Sequence, residues 1–271
     1  PHADDAPPPD LPAPADRPEG LALVVGTSGS TGAPKLAMLT ADAIIASDDA
    51  THVRFGGPGQ WLLAMPARHI AGLQVLFRSL RAGTTPIALD HRQHFDAPLF
   101  ADAAGRLTAA RRYVSLTPTQ VTRVLADPRG VDALRSFDRV LIGGAAVPAP
   151  LLERVRAAGA HPVTSYGMSE TAGGAVYDGR PLDGSAVRIV EGRVHVGGPT
   201  LARGYLGLPE RSAQVFIADA DGARWFVTDD AGHLDDEGLL QIDGRLDDLI
   251  NTGGLKVLPR LVEEALLRHL P

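Results

Sequence analysis

The sequence predicts an α/β fold whose first part holds a mainly parallel sheet and whose second part is rich in β-strands. Short apolar runs that suit buried strands lie at 21–25, 61–65, 84–89, 113–116, 139–142 and 163–166. Helical patterns separate these runs, at 40–53 with Thr40 as the N-cap, 71–82, 98–110, 118–126 and 148–158. Because alternating strands and helices pack as a parallel sheet covered by helices, this order predicts the α/β class.

The pattern changes to a β-rich subdomain after about residue 175. Residues 187–190 and 194–196 flank the turn residues Glu191 and Gly192, which is typical of a β-hairpin. Short runs at 225–227 and 239–242 extend this region. We therefore expect the parallel sheet and a β-rich subdomain within one large domain over residues 21–246.

The two ends of the chain predict different structures. Residues 1–20 are rich in proline and predict an extended linker or strap. At the other end, residues 247–271 contain a short apolar run and then an amphipathic helical pattern at 259–270. Because one strand and one helix seldom form a stable domain, we expect a small C-terminal domain that is truncated after its first strand and helix.

The composition excludes several classes of protein. Of 271 residues, 44% are hydrophobic and 21% are charged, and the formal net charge of −6 offers no basic surface for nucleic acid. The lack of cysteine excludes disulfide bonds and thiolate metal sites. The sequence shows neither an apolar run of about 18 residues, as a membrane span requires, nor a signal-peptide pattern. We therefore expect a cytoplasmic protein.

The segment after the first predicted strand combines hydroxyls, glycines and a lysine. Its candidate residues are Thr27, Ser28, Gly29, Ser30, Thr31, Gly32 and Lys35. Glycines allow turns that direct backbone N–H groups at an anion, and the hydroxyls and the ammonium group add further donors. The spacing is not that of a Walker P-loop, since Pro34 stands where that loop would enter its helix. The segment predicts a polyphosphate site, with an ordinary polar loop as the alternative.

Two further segments follow predicted strands, where open α/β sheets bind ligands. Gly143, Gly144 and Ala145 offer a flat backbone against which a planar group such as a purine can lie, although tight strand–helix packing explains a Gly-Gly pair equally well. In the segment 165–171, Tyr166 can stack on a base, and Glu170 is an oxygen ligand suited to Mg²⁺ beside phosphates. A helix cap or a surface acid is the alternative for Glu170.

Charged groups also follow other predicted strands. Asp230, with Arg245 nearby, suits the two hydroxyls of a ribose, and ordinary turn acids are the alternative. His69 ends the strand at 61–65 beside Arg68, where both groups could face an anionic substrate or serve only the structure.

Seven blocks in order resemble the adenylate-forming acyl-CoA synthetase superfamily. The blocks lie at 27–35, 65–72, 143–148, 165–173, 197–207, 225–245 and 246–266. Within the superfamily, the chain is most similar to the compact actinobacterial o-succinylbenzoate-CoA ligases of menaquinone biosynthesis, through segments 66–83, 110–120, 140–150 and 165–179 and the Thr-Asp-Asp at 228–230. The resemblance covers residues 21–270.

This resemblance implies a two-step reaction with Mg²⁺-ATP and coenzyme A. A carboxylate attacks the α-phosphorus to give an acyl-adenylate and pyrophosphate, and the thiol of coenzyme A then displaces AMP. The resemblance assigns the phosphate loop to residues 27–32 and Lys35, the metal to Glu170 and a phosphate contact to Thr171. It assigns the adenine shelf to Gly143, Gly144 and Ala145, and base stacking to Tyr166 beside Gly167. It assigns the ribose to Asp230 with Arg245, and the hinge to Asp247.

For the acyl group, the resemblance points to His69 as a catalytic and substrate-binding residue. Thr119 and Arg123 lie in a segment whose cation could hold the second carboxylate of o-succinylbenzoate, and Arg78 is a weaker candidate. No general base is expected, because a carboxylate nucleophile is already ionised near pH 7.

The chain departs from the family pattern in several places. Leu36 follows Lys35 where glycine is usual, and Asp229 replaces the glycine of Thr-Gly-Asp, so the ribose assignment to Asp230 rests on register. The part before the phosphate loop is short. The family's lysine near the end of the C-terminal domain has no counterpart before Pro271, and the chain as given is therefore expected to adenylate weakly.

Other functions stay open at this stage. One alternative is an aryl-CoA or fatty-acyl-CoA ligase or an amino-acid adenylating enzyme, and a second is a non-catalytic nucleotide-binding protein derived from the family. The expected small-molecule partners are o-succinylbenzoate, ATP and coenzyme A, with no nucleic acid and no membrane span. A homodimer is also open.

Overall fold

The computed structural model describes residues 17–27, 35–90, 92–248, 250–252, 255–257 and 262. Five residues of the predicted phosphate loop, Ser28, Gly29, Ser30, Thr31 and Gly32, lie outside the described residues. Most of the predicted linker 1–20 and of the helix 259–270 also lies outside them. Within the described part, no helix is both long and apolar enough to cross a bilayer.

The strands form two large sheets and two small antiparallel pairs. They are β1 (Leu21–Gly26), β2 (Leu36–Thr40), β3 (Gln60–Leu63), β4 (Ile87–Ala88), β5 (Arg112–Leu116), β6 (Arg139–Ile142), β7 (Pro162–Met168), β8 (Gly173–Tyr177), β9 (Arg180–Pro181), β10 (Ala186–Val190), β11 (Arg193–Gly197), β12 (Phe216–Ala218), β13 (Arg224–Leu234), β14 (Leu240–Arg245), β15 (Ile250–Thr252) and β16 (Leu255–Val257).

Seven helices connect or flank these strands in the described part of the chain. They are α1 (Ala41–Phe55), α2 (Ile70–Arg81), α3 (Ala97–Ala104), α4 (Pro118–Val124), α5 (Pro128–Arg135), α6 (Ala149–Ala157) and α7 (Pro209–Val215). Thr40 is the N-cap of α1 as predicted, and its hydroxyl accepts a hydrogen bond from the N–H of Ala43 at 3.2 Å.

The main sheet has the order β4-β3-β5-β6-β7-β8-β9. The pairings from β4 to β7 are parallel, and β8 and β9 are added antiparallel. Side chains alternate between its faces, with Leu62, Val114 and Val140 in a core that includes residues of α3 to α6, and Trp61 and Tyr113 in a core that includes residues of α1 and α2. The α/β class with a mainly parallel sheet is confirmed.

The β-rich subdomain is a second sheet of five strands, in which β13 pairs with β11, β12 and β14. The predicted hairpin is confirmed as β10 and β11, joined at Glu191 and Gly192, which both have positive φ. The inner face of this sheet shares a core with the β1–β2 pair, through residues such as Val25, Leu39 and Phe226.

Several predicted boundaries are wrong. The first strand does not join the parallel sheet. It pairs with β2, and the pairing is antiparallel because the connection between these two strands is too short for a parallel crossover. The helix predicted at 98–110 ends at Ala104, and the strand predicted at 84–89 is reduced to β4. Helix α5 was not predicted, although Asp127 followed by Pro128 is a helix-start pattern and the Asp127 carboxylate caps it.

Candidate functional site

The candidate site lies at the carboxyl ends of β6 and β7, with β1, β13 and the 204–205 segment around it. Gly143, Gly144 and Ala145 follow β6, and a Cβ atom on Gly143 would lie 3.0 Å from the Ser165 carbonyl oxygen. Gly144 has a φ of 80°, and it and Ala145 are exposed. Gly143 therefore serves close packing, while the two residues after it present open backbone to a ligand.

Tyr166 and Asp230 are joined across this edge. The Tyr166 hydroxyl donates a hydrogen bond of 2.7 Å to Asp230 Oδ2, and Arg245, the register partner of Asp230 on β14, places Nη1 3.7 Å from Oδ1. Burial raises the pKa of Asp230, against the lowering effects of the Tyr166 hydrogen bond and Arg245. Arg245 also makes two hydrogen bonds to Asp247, at 2.8 and 2.7 Å.

The neighbouring carboxylate, Asp229, faces the opposite way because side chains alternate along β13. Its two oxygens lie 3.6 Å from Arg193 and 3.8 Å from Arg211. Of the two candidates for the ribose, the structure brings Asp230 to Tyr166 and turns Asp229 toward these arginines.

Glu170 is the second buried carboxylate of the site. It lies on a short 3₁₀ turn, Ser169–Thr171, and the Tyr205 hydroxyl donates a hydrogen bond of 2.7 Å to its Oε1. Lys35 lies with Nζ 5.2 Å from the centre of the Tyr205 ring. Burial raises the pKa of Glu170, and Tyr205 and then Lys35 act in the lowering direction. The structure thus brings both residues to one tyrosine, with Lys35 over the ring and Glu170 at the hydroxyl.

The start of the phosphate loop is tied to the same turn. Ser169 Oγ donates to the Gly26 carbonyl at 3.1 Å, and the Thr27 N–H donates to the Lys35 carbonyl at 2.8 Å, which closes the base of the loop. The buried Thr27 hydroxyl receives no hydrogen bond from any described residue.

Thr171 is at the site, but its hydroxyl is engaged in the turn. It accepts a hydrogen bond from the Met168 N–H at 2.9 Å and donates to the Gly173 carbonyl at 2.6 Å. Thr171 is also fully buried. In this arrangement its hydroxyl fixes the shape of the turn, and a phosphate contact would require that it rotate.

The Glu170 carboxylate alone offers too few ligands for a metal site made only of protein groups. Within the described ranges there is no group of three or more histidine, cysteine or acidic side chains that could hold a metal ion. Mg²⁺ commonly keeps several water ligands and is held through one or two carboxylates together with substrate phosphates. Glu170 fits that kind of ion, which is brought by a nucleotide.

The sequence pattern of a family described as AMP-binding enzyme matches residues 2–206. The chain belongs to this AMP-binding enzyme family. A protein named probable 2-succinylbenzoate–CoA ligase from Mycobacterium tuberculosis H37Rv is 49% identical over 256 residues, which are 93% of this chain and 65% of that protein. The 2-succinylbenzoate–CoA ligase of Escherichia coli K12 is 34% identical over 93% of this chain and 54% of its own length.

Solved structures agree with this membership. The o-succinylbenzoate coenzyme A synthetase of Bacillus subtilis in complex with ATP and magnesium ion is similar with a TM-score of 0.78 and 29% identity, over 91% of this chain and 54% of that one. The same enzyme in complex with its acyl-adenylate intermediate also gives 0.78. The chain thus spans between about half and two thirds of the length of these relatives. The resemblance in the sequence to an adenylate-forming family is confirmed.

The predicted acyl-binding residues of this family member lie in three places. His69 is exposed at the N-terminus of α2, where its Nε2 accepts a hydrogen bond from Arg68 at 3.3 Å. Thr119 and Arg123 are exposed on α4, and Arg123, in the last turn, lies about 8 Å along the helix axis from its start. The structure therefore brings His69 and Thr119 close to the sheet edge and sets Arg123 further back.

Arg78 lies in a buried polar cluster between α1 and α2. Its Nε is 3.8 Å from Asp48 Oδ1, its Nη2 donates to the Tyr177 hydroxyl at 3.3 Å, and its guanidinium carbon is 5.1 Å from the centre of the Trp61 ring. Only 2% of Arg78 and none of Asp48 is exposed. Three oxygens show that the pairing is incomplete, since Gln74 Oε1 and both Asp48 carboxylate oxygens receive no hydrogen bond from a described residue.

Tyr205, Ser169 and Gln74 were not predicted as site residues. Tyr205 lies within the 197–207 block that carries the family resemblance, so its position was a usable signal. Ser169 and Gln74 act through hydrogen bonds to backbone carbonyls that are distant in sequence, at Gly26 and Ala172. No local pattern indicates such a pairing.

Replacing Asp48 with asparagine is expected to flatten the pH dependence of stability. Burial raises the pKa of Asp48 to about 7, against the lowering effects of Arg78 and Arg81, whereas the unfolded carboxyl ionises near pH 4. The native state therefore holds this proton more tightly, so its contribution is fully present below about pH 4 and is lost as the pH rises to about 7. The loss is at most about 1.4 kcal/mol per pH unit.

Urea unfolding of the wild type and Asp48→Asn between pH 4 and 8 measures this difference in slope. Asp49→Asn is the matched control, because Asp49 is the exposed neighbour that pairs with Arg81. His52, whose pKa is lowered by burial and Arg78, titrates in all three proteins. Equal slopes for the wild type and Asp48→Asn would contradict the prediction.

Proposed function

We propose that this chain forms the acyl-adenylate-forming part of an AMP-forming o-succinylbenzoate–CoA ligase, which acts in menaquinone biosynthesis. The observation that carries the proposal is the pair of buried carboxylates, Asp230 and Glu170, each bonded to a tyrosine hydroxyl at one sheet edge. That pair suits a ribose at one end and a metal-bound polyphosphate at the other. The names of the relatives supply the acid and the coenzyme A.

The residues of the site support nucleotide binding in a definite order. The open backbone at Gly144 and Ala145 takes the adenine, Tyr166 covers it, and Asp230 accepts hydrogen bonds from the ribose hydroxyls. Lys35 and the Thr27 hydroxyl then face the phosphates, at the base of the loop that Ser169 ties down. Glu170, together with the phosphates, would hold Mg²⁺, and the ion would supply positive charge that neutralises the leaving pyrophosphate.

The chemistry requires positioning and charge neutralisation, with no general base among the protein residues. The acid enters as a carboxylate, its oxygen bonds to the α-phosphorus, and the bond to the β-phosphate oxygen breaks. Both reactants are anions, so the main work is to hold them in line beside cationic groups. Lys35 lies over the ring of Tyr205, whose hydroxyl bonds Glu170, and we assign Lys35 to the phosphates.

For the second carboxylate of o-succinylbenzoate, the sequence offers two cations. Arg123 is exposed and can reach a ligand in solution, whereas Arg78 is buried beside Asp48. His69 and Thr119 would line the part of the pocket between the sheet edge and that cation. Asp247 as hinge, the cytoplasmic location and the homodimer stay predictions.

A panel of acyl-adenylate analogues tests the proposed acid. Calorimetry with hydrolysis-resistant sulfamoyl analogues that carry o-succinylbenzoyl, benzoyl, fatty-acyl or aminoacyl groups is expected to give the tightest binding for o-succinylbenzoyl, by tenfold or more. ATP–pyrophosphate exchange with the four free acids is the matching kinetic measurement. Equal affinities across the panel would leave only a nucleotide-binding protein, and a different preferred acyl group would identify another ligase of the family.

The two adjacent aspartates give a matched pair of variants for the ribose. Asp230→Ala is expected to lower the affinities for Mg²⁺-ATP and AMP roughly 10- to 100-fold, since hydrogen bonds to a charged group contribute about 1.5–3 kcal/mol. Asp229→Ala is expected to change either affinity less than twofold. Calorimetry measures both. A larger loss for Asp229→Ala than for Asp230→Ala would reverse the assignment.

Arg123→Ala is expected to weaken the o-succinylbenzoyl analogue about tenfold, because one charge-assisted contact to the succinyl carboxylate is lost. Binding of the benzoyl analogue, which lacks that carboxylate, should stay unchanged. Arg129→Ala, at an exposed arginine on α5 that pairs with Asp102, is the control for a general charge effect. Unchanged affinity in Arg123→Ala would remove it from the pocket and leave Arg78 as the candidate.

A further inference from the structure

The turn that follows Glu170 has an unusual backbone conformation. Ala172 lies in the left-handed region, with φ 51° and ψ 40°, and it is fully buried. This region is unfavourable for residues other than glycine, asparagine and aspartate, so the surrounding structure must hold Ala172 there. The next residue, Gly173, also has a positive φ, of 90°. The turn carrying the candidate metal ligand is thus held by the Thr171 hydroxyl within it and by groups outside it.

Two side chains from two different helices meet the carbonyl oxygen of this residue. Ser47 Oγ, on α1, donates to the Ala172 oxygen at 3.1 Å, and the Gln74 amide, on α2, donates to the same oxygen. The Gln74 amide also lies 3.2 Å from Ser47 Oγ. Ser47 is fully buried and Gln74 is 1% exposed. We call this arrangement the Ser47–Gln74 clamp.

Burying Gln74 at this position costs free energy of folding. Its Oε1 receives no hydrogen bond from a described residue, and an unpaired buried acceptor costs more than an apolar side chain of similar size. A helix buried in an apolar core would be more stable with leucine or methionine there. The amide is therefore explained by what its N–H groups hold, which is the Ala172 carbonyl.

The clamp fixes the backbone on which Glu170 stands. Ala172 is two residues from Glu170, and Gln74 Cγ packs against Gly173, where an added Cβ would lie only 3.1 Å away. On the other side, the Glu170 carbonyl accepts from the Ala202 N–H at 2.8 Å, and Tyr205 holds its carboxylate. These contacts leave the Ala172 turn as the part of the segment whose shape depends on α1 and α2.

We propose that Ser47 and Gln74 are positioning residues that hold the Ala172 turn and thereby place the Glu170 carboxylate where it meets the metal of a bound Mg²⁺-nucleotide. This inference rests on the proposed function, because it concerns the same site. It adds two residues that touch neither nucleotide nor acid and that act through one backbone carbonyl.

Gln74→Met and Ser47→Ala test the clamp in the full chain. Each is expected to lower the affinity for Mg²⁺-ATP about tenfold. Each should also raise the Mg²⁺ concentration at which ATP binding is half complete. AMP binding in EDTA, which depends on Tyr166 and Asp230, should change less than twofold. Ser47→Thr, which keeps the hydroxyl, should bind Mg²⁺-ATP as the wild type does. Calorimetry gives all these affinities.

Gln60→Met is the matched control for a merely structural role. Gln60 is also a buried glutamine whose amide donates to a backbone carbonyl, at Thr85. It lies at the start of β3, and so at the amino ends of the parallel strands, whereas the candidate site lies at their carboxyl ends. Its loss should lower the thermal unfolding temperature and leave Mg²⁺-ATP affinity unchanged. Ala172→Gly should restore most of the affinity lost in Gln74→Met, because glycine adopts the left-handed turn without support.

The outcomes separate the clamp from the proposed function. If wild type binds Mg²⁺-ATP and both clamp variants bind it equally well, the clamp is overturned while the function stands. A parallel loss of Mg²⁺-ATP and metal-free AMP also overturns it, since the effect is then general. If the wild type binds no nucleotide, the proposed function fails and the inference with it. Should Gln74→Met not fold, Ser47→Ala decides the question.

Discussion

The structure depends on two tyrosine hydroxyls that hold two buried carboxylates at one edge. Tyr166, at the end of the parallel sheet, bonds Asp230 on the β-rich sheet, and Tyr205 bonds Glu170. Tyr205 belongs to a segment that also bonds the β1–β2 pair, since the Met38 N–H donates to the Gly204 carbonyl at 2.9 Å. These hydrogen bonds connect the two large sheets with the β1–β2 pair, and the Ser169 bond to the Gly26 carbonyl ties the end of β1 to the same turn.

The same burial sets the electrostatic character of the site. It raises the pKa of both Asp230 and Glu170, so each carboxylate is held in surroundings that favour its neutral form. A ligand offsets the cost of burying the two charged carboxylates if it donates hydrogen bonds to Asp230 and brings a cation to Glu170. The tyrosines supply part of the compensation, and Lys35 and Arg245 supply more. A polyanion with its own metal ion, carrying a diol at the other end, fits this distribution.

Local patterns in the sequence predicted the elements whose causes are local. The strands β5, β6 and β7, the N-cap Thr40 and the hairpin at Glu191 follow from apolar runs, capping chemistry and turn residues. The family resemblance placed Glu170, Tyr166 and Asp230 in one site. What escaped prediction depends on pairing between distant segments. Strand β2 is short and gains its partners from β1 and from the backbone of residues 203–206, and Tyr205 has a role only because Glu170 lies opposite it.

The buried polar side chains of α1 and α2 also escaped prediction from local patterns, and their position in the fold explains why they are polar. Both helices turn charged or amide side chains inward, at Asp48, Gln74 and Arg78, where pattern reasoning expects apolar residues. Such burial is costly, and natural chains depart from a simple core mainly where function requires it. Here the same two helices carry the Asp48–Arg78 pair and the two side chains, Ser47 and Gln74, that bond the carbonyl of Ala172. The two helices are therefore better understood as the support of the Glu170 turn than as packing alone.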